Sequence, residues 1–292
     1  MNKDKSSAFL KVTEPAELMA FLIAQLPHKN RNNIKTLLRD KQVLVEGRVV
    51  TQYNHQLLPN QKVEISGSKA RKEKAYPGLT ILFEDSYLIV IEKQEGLLSI
   101  ATDNRGETTA YRILSDHVKK QNAGQKIFVV HRLDRDTSGV MVFAKSEKIQ
   151  KLLQETWGPE TKERTYLAVA EGVLVPPAGT VLSYLNESKA MIVYSSQHPG
   201  QGQKAITHYE TIRVSKQWSL LKVNLETGRK NQIRVHLQDL GHPIAGDKKY
   251  GARFNPIGRL GLHAWILGFV HPITKEKLRF ETKIPPKFLS LF

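Results

Sequence analysis

Ile127-Phe128-Val129-Val130-His131-Arg132-Leu133-Asp134-Arg135-Asp136-Thr137-Ser138-Gly139-Val140-Met141-Val142-Phe143-Ala144 is a polar loop between two apolar runs. Runs of four and five apolar residues bounded by turn residues read as buried strands. The loop between them, His131 to Gly139, holds two carboxylates, two guanidiniums, an imidazole and two hydroxyls. Unpaired charge is costly to bury, so such a loop requires internal pairing, a ligand or both. Asp136 has a local explanation, because Thr137-Ser138-Gly139 after it is turn chemistry. Asp134 has none. The residues alone identify a carboxylate site and leave its chemistry open.

Outward from this loop, strands and helices alternate irregularly. Strands are predicted at Thr80–Phe83, Tyr87–Glu92, Ile127–Val130, Val140–Ala144, Thr165–Glu171, Met191–Tyr194, Ile206–Ile212 and Ser219–Leu225. Helices are predicted at Thr108–Lys120, Glu147–Trp157 and Lys230–Leu240, the last stopped by Gly241. Hairpins mixed with crossovers indicate an α+β fold on a mixed, largely antiparallel sheet rather than a doubly wound one.

The chain has 292 residues, enough for two domains. The segment Ser68 to Pro77 is charged, has no apolar period and runs into Gly78, so residues 68–78 read as a linker between a domain at 1–67 and a larger one at 79–292. Net charge is +16, and residues 1–76 carry 14 basic and 7 acidic side chains, so the first quarter of the chain holds nearly half the excess. A pI near 9.8 indicates a polyanionic partner, nucleic acid before an anionic membrane. The chain lacks cysteine, which excludes disulfides, thiolate nucleophiles and Cys-based zinc sites. No HExxH motif, P-loop or Gly-rich dinucleotide loop occurs, so neither metal nor cofactor is expected. A polar start at Met1–Lys11 and an apolar run, Leu18 to Leu26, too short to span a bilayer lead us to expect a cytoplasmic protein.

In the small domain Leu18, Phe21, Leu22 and Leu26 follow helical spacing, as do Ile34, Leu37 and Leu38, with Lys35 and Arg39 on another face. Val43, Val45 and Val49 flank a turn at Glu46-Gly47, and Lys62–Ile65 adds a strand. Two basic helices and a small sheet resemble the S4 RNA-binding domain, on Asn30-Arg31, the basic second helix and Val43-Leu44-Val45-Glu46-Gly47-Arg48-Val49. That family usually has Asn where this chain has Glu46. The resemblance implies that Arg31, Lys35 and Arg39 contact RNA.

A second dense segment is Glu226-Thr227-Gly228-Arg229-Lys230-Asn231-Gln232-Ile233-Arg234-Val235-His236-Leu237. On a helix starting near Lys230, Asn231 and Arg234 share a face. Arg229, Lys230 and the amides after Gly228 would suit phosphate. An amphipathic helix with a solvated basic face fits the same residues. A family resemblance goes further. His131-Arg132-Leu133-Asp134 followed by Thr137-Ser138-Gly139 resembles the active-site signature of RluA-type pseudouridine synthases. Lys162-Glu163-Arg164-Thr165-Tyr166-Leu167-Ala168 resembles their tyrosine-bearing strand, and Gly228 to His236 their later arginine motif. Gly241-His242-Pro243-Ile244 to Gly246-Asp247 and Arg259-Leu260-Gly261-Leu262-His263-Ala264 also match. Lys93-Gln94-Glu95-Gly96 stands where the family often has Lys-Pro-x-Gly, and Asn231 where many members have His.

The resemblance implies a pseudouridine synthase fold and the isomerisation of uridine to pseudouridine in structured RNA, without cofactor or metal. Large-subunit (23S) ribosomal RNA is the expected substrate, with transfer RNA as the alternative, and a monomer is the default. Asp134 would be the essential carboxylate, as nucleophile or as base, with Arg234 as its partner; a nearby cation favours the charged form. Tyr166 would stack on the flipped base, and Arg132 would fill the vacated stack. Arg229, Lys230, Asn231 and Ile233 would line the RNA site, and His131 would orient the loop. Two rivals exist: a non-catalytic RNA-binding or ribosome-assembly factor, and a hydrolase using Asp134 and Asp136 together.

Overall fold

The computed structural model describes residues 8–39, 42–65, 74–101, 107–155 and 163–292. The chain forms two compact units, Met1–Lys72 and Glu73–Phe292.

In the first unit β1 (Ala8–Lys11), β2 (Ala16–Glu17), α1 (Leu18–Gln25), α2 (Arg31–Arg39), β3 (Val43–Val45), β4 (Arg48–Val49), β5 (Gln56–Leu57) and β6 (Lys62–Ile65) follow in order. Antiparallel pairing gives a sheet in the order β1-β6-β3-β4. Leu18, Leu22, Ile34, Leu38, Val43 and Val63 form its core. Asn30 caps α2 by accepting a bond from the Asn33 amide at 2.9 Å. Arg31, Lys35 and Arg39 all lie on the exposed side of that helix. Glu46 occupies the left-handed region at φ 49°, where its carboxylate accepts a bond from the Lys62 amide and its own amide donates to the Lys62 carbonyl. The acid in this turn therefore acts as a local hydrogen-bond acceptor.

The second unit carries β7 (Lys74–Tyr76), β8 (Leu79–Glu84), β9 (Leu88–Lys93), α3 (Ala110–Lys119), β10 (Phe128–Val129), β11 (Ser138–Ala144), α4 (Glu147–Glu155), β12 (Glu163–Glu171), β13 (Ala178–Glu187), β14 (Val193–Ser196), β15 (Gln203–Val214), β16 (Trp218–Leu225), α5 (Gln232–Asp239), β17 (Leu262–Val270), β18 (Lys277–Glu281) and α6 (Pro286–Leu289). Its sheet runs β14-β13-β15-β16-β12-β17-β11-β9-β8-β7, with β10 beside β11 and β18 beside β17. Every pairing is antiparallel except β11 with β17, so the sheet is mixed and mostly antiparallel.

The apolar run Val140–Ala144 is explained by burial on both faces. Met141 and Phe143 pack with Ala110, Leu114 and Val118 of α3, while Val140 and Val142 pack with Ile149 and Leu153 of α4. Gly139, at φ 119°, lets β11 approach β17 closely, since a Cβ there would sit 2.0 Å from the Ala264 carbonyl oxygen. Gly241, at φ 78°, ends α5.

Several expectations change. Residues 68–73 of the expected linker lie outside the described residues, and residues 74–76 form β7, paired with β8. Tyr76 is tied down because its hydroxyl bonds His117 Nδ1 at 2.7 Å, and His117 in turn meets Glu84. Trp157 and Lys162 also lie outside the described residues, and α4 is described to Glu155. Met191 sits in a turn at φ 57°, so its strand begins at Val193. Two further strands appear: β13, where burial alternates but residue type does not follow it, since Leu182 is exposed and Ser183 buried, and β18, a short half-exposed strand. No described helix is long and apolar enough to cross a membrane.

Candidate active site

The polar loop ends at β11 and is built as a fixed turn. The Thr137 amide donates to the Asp134 carbonyl at 3.2 Å. Ser99 brackets Leu133, its hydroxyl donating to the carbonyl at 2.7 Å and accepting from the amide at 3.1 Å. His131 Nε2 accepts the Val142 amide, tying the start of the loop to β11. Contrary to the sequence expectation, most of the loop's charge is not buried: Arg132, Arg135 and Asp136 are exposed and Asp134 is half-buried. Arg135 pairs with Glu107 at 2.9 Å.

Beneath the loop lies Lys93, fully buried, with its ammonium donating to the Gln94, Leu97 and Arg135 carbonyls at 3.0, 2.8 and 2.9 Å. Burial lowers its pKa to about 8, against the opposing pull of Asp136. On the other flank Arg259 reaches Glu95 at 2.6 Å and the Ser138 hydroxyl at 2.8 Å. Ser138 continues to His263 and on to Thr282, a buried chain that pins β11 to β17. His263 is held near pKa 4 by burial and by Arg259.

Asp134 faces a cleft of about 410 Å³, within the range of small-ligand sites. Tyr166 from β12, Ile233 and Arg234 from α5, and Arg132, Arg229, Lys230 and Asn231 also line it. Residues from three distant segments therefore meet at one cavity. Tyr166 is placed at a bulge in β12 between Thr165 and Tyr166, and burial pushes its phenol up to about 12, with Arg164 opposing and Asp134 adding to the shift. It is a neutral hydrogen-bonding group at physiological pH. Asp136 does not line this cleft, so the two loop aspartates do not face one ligand together.

Arg234 reaches Asp134, its expected partner, but is held mainly by a second carboxylate. Its principal partner is Asp247, bound bidentately through Nε and Nη2 at 2.7 Å each, with the carboxylate almost wholly buried. Asp134 lies 3.5 Å from Arg234 Nη1, and Asn231 Oδ1 accepts from the same nitrogen at 3.2 Å. The Tyr250 ring lies 4.8 Å from the guanidinium, and its hydroxyl accepts from Asn231 Nδ2 at 2.8 Å. Burial opposes the Arg234 charge, but the bonds to Asp247 and the attraction of both aspartates outweigh it and raise the pKa. Asn231, at φ 53°, accommodates the turn into α5. Asn231 and Arg234 do share a side, as the helical spacing predicts.

The expected phosphate-binding helix start is altered too. The helix begins at Gln232 rather than Lys230, and Gln232 Oε1 already accepts the Arg229 amide at 2.9 Å. Lys230 pairs with Glu187 at the cleft edge. Asp247, Lys93 and Tyr250 were missed as site residues. Asp247 ends the stretch Gly241 to Asp247 and Lys93 begins Lys93-Gln94-Glu95-Gly96, but neither position shows in sequence what its side chain touches. Among the described residues no His, Cys, Asp and Glu cluster could hold a metal ion. The arrangement offers a carboxylate steadied by a clamped guanidinium, a neutral phenol and a room for one small ring system. That set suits proton transfer or nucleophilic attack.

A family model described as RNA pseudouridylate synthase matches residues 87–239. A protein named uncharacterized RNA pseudouridine synthase YhcT, of Bacillus subtilis (strain 168), is 37% identical over 218 residues, covering 74% of this chain and 72% of that protein. Ribosomal large subunit pseudouridine synthase D of Escherichia coli (strain K12) is 31% identical over 287 residues, covering 92% and 87%. Among solved structures, human RNA pseudouridylate synthase domain containing 4 superimposes with a TM-score of 0.60 at 26% identity, covering 72% of this chain and 90% of that one.

Proposed function

The chain belongs to the RNA pseudouridylate synthase family, and from that membership we propose that it isomerises uridines of large-subunit ribosomal RNA, with Asp134 as the essential carboxylate. The observation that carries the reading is the convergence of Asp134, Tyr166 and Arg234 on one cleft. The N1–C1′ bond of uridine breaks, the uracil turns, and C5 joins C1′. The proton leaving C5 is balanced by one gained at N1, so no redox partner or second substrate is needed. Asp134 serves either as a nucleophile or as the base that draws a proton from the sugar, and in both roles it must be ionised. Arg234, fixed by Asp247, keeps a positive charge 3.5 Å from it. Tyr166 offers a ring for stacking and a neutral hydroxyl for handling the C5 proton. Arg132, exposed beside the cleft, takes the place of the flipped base, and Ile233 packs against the base. Flipping a paired base costs a few kcal/mol, which RNA contacts by Arg229 at the cleft help offset.

The ribosomal target is supported by the synthase D relative, named for the large ribosomal subunit, which spans most of the chain. The first unit is read as an S4-like RNA-binding domain, with Arg31, Lys35 and Arg39 on one exposed helix side. The test is Asp134→Asn. Tritium release from 5-tritiated uridine in RNA should vanish while RNA binding persists, and retained turnover would sink the assignment. Mapping pseudouridines in total RNA with and without the gene identifies the target, and a site lost from transfer RNA alone would overturn the ribosomal reading.

A further inference from the structure

A second cleft, of about 520 Å³, adjoins the first and shares with it Arg132, Tyr166, Leu225, Gly228 and Arg229. Three guanidiniums line it, those of Arg132, Arg164 and Arg229. The acid in its wall is Glu226, and that carboxylate is taken by His208 Nε2 at 2.6 Å. Around the site Arg135 is neutralised by Glu107, Lys230 by Glu187, Arg259 by Glu95 and Arg234 by Asp247, while Lys93, bonded to carbonyls, lines neither cleft. Arg164 is different. Half-buried, it donates Nη2 to the Leu225 and Glu226 carbonyls at 3.3 and 2.7 Å and forms no ion pair with a carboxylate among the described residues. Gly228 leaves it room, since a Cβ there would lie 2.8 Å from Arg164 Nη1.

Resting on the reading of this chain as an enzyme acting on uridine in RNA, we propose that the second cleft is a subsite for an RNA backbone phosphate next to the target uridine, with Arg164 as its principal ligand. A guanidinium held by two carbonyls is pre-aimed, with other N–H groups left for a bidentate phosphate contact. Its burial without a counter-charge lowers its pKa, a cost that an arriving anion relieves. Arg132 and Arg229 complete the anion site from the rim shared with the uridine cleft. The subsite thereby sets the distance between the seated base and its own backbone.

The test uses the full chain carrying Asp134→Asn, to prevent turnover, and an RNA hexanucleotide with a single uridine. A methylphosphonate replaces the phosphate on the 5′ or the 3′ side of that uridine, and binding is read by fluorescence anisotropy. One of the two neutral linkages should weaken binding about tenfold, and Arg164→Gln should abolish that penalty while lowering the salt slope of binding by about 0.7–0.9. Gly228→Ala, which displaces the guanidinium without removing it, should shrink the penalty in a chain that still folds. No penalty at either linkage, or equal penalties before and after both substitutions, overturns the proposal. Replacing the uridine by cytidine tests the uridine reading separately. A linkage penalty carried by Arg164 with no preference for uridine keeps the phosphate site and sinks the uridine assignment alone.

Discussion

Asp247→Asn is the sharpest test of how the site is held together. The Asp247 side chain is 1% exposed and binds Arg234 through two 2.7 Å bonds, and Arg234 itself is 14% exposed. Asparagine keeps the shape, removes the charge and turns one acceptor into a donor facing a guanidinium. Breaking such a buried pair on one side costs about 3–5 kcal/mol. For a unit of this size that corresponds to a fall of roughly 6–20 °C in the melting temperature. The same change releases Arg234 from its fixed pose beside Asp134, and a misplacement near 1 Å costs about 10²-fold in rate. Thermal melts by circular dichroism and tritium release from RNA measure the two effects. A cycle with Arg234→Gln separates the pair from its surroundings: the double variant should be more stable than the sum of the single losses implies, by about 1–3 kcal/mol. Additive losses, or a melting temperature within about 2 °C of the parent, would show that the bidentate clamp is not what holds Arg234.

Gly139→Ala should destabilise the second unit by about 3 kcal/mol or more, because the added methyl meets the Ala264 carbonyl and φ is 119°; urea unfolding measures it, and a loss below about 1 kcal/mol would mean β11 can retreat from β17. Lys93 has a folded pKa near 8, below its ordinary value, so the unfolded chain binds more protons between pH 8 and 10 and its stability contribution rises with pH there, by up to about 1.4 kcal/mol per unit; this slope should be absent in Lys93→Met. His236, buried between Ser183 and Thr207 and held by burial near pKa 4, binds its proton first in the unfolded chain, so stability should fall as pH drops from 6.5 towards 4, by at most about 3 kcal/mol, and His236→Gln should flatten that part of the melting curve.

The sequence carried the central strands because β11 is buried on both faces, and such strands read as unbroken apolar runs. The strand next to the edge strand β14 was less legible. β13 buries Ser183 and exposes Leu182, so its residue types contradict its two faces. Asp134, Tyr166 and Arg234 stood out through motif and chemistry. Asp247 did not, because its importance lies in the direction Arg234 turns, and a guanidinium with two aspartates in reach is assigned only by geometry. Lys230 had the residue type for phosphate and the wrong company, since Glu187 comes from a hairpin forty-three positions away.

That distinction changes what the charge of +16 means. A surplus of cations draws the chain to RNA, but a cation already bonded to a carboxylate adds little to a specific contact until the acid is displaced. Around this cleft the paired cations fasten loops to strands: Arg259 spans Glu95 and Ser138, and Arg135 reaches Glu107. Arg132 and Arg229, on the rim the two clefts share, and Arg164, in the second cleft, have no carboxylate partner among the described residues. Net charge therefore governs encounter with RNA, whereas the pattern of neutralisation governs where the backbone settles once it arrives. If the proposed phosphate subsite is right, a phosphate next to the uridine meets the uncompensated charge of the second cleft while the base meets Asp134 in the first.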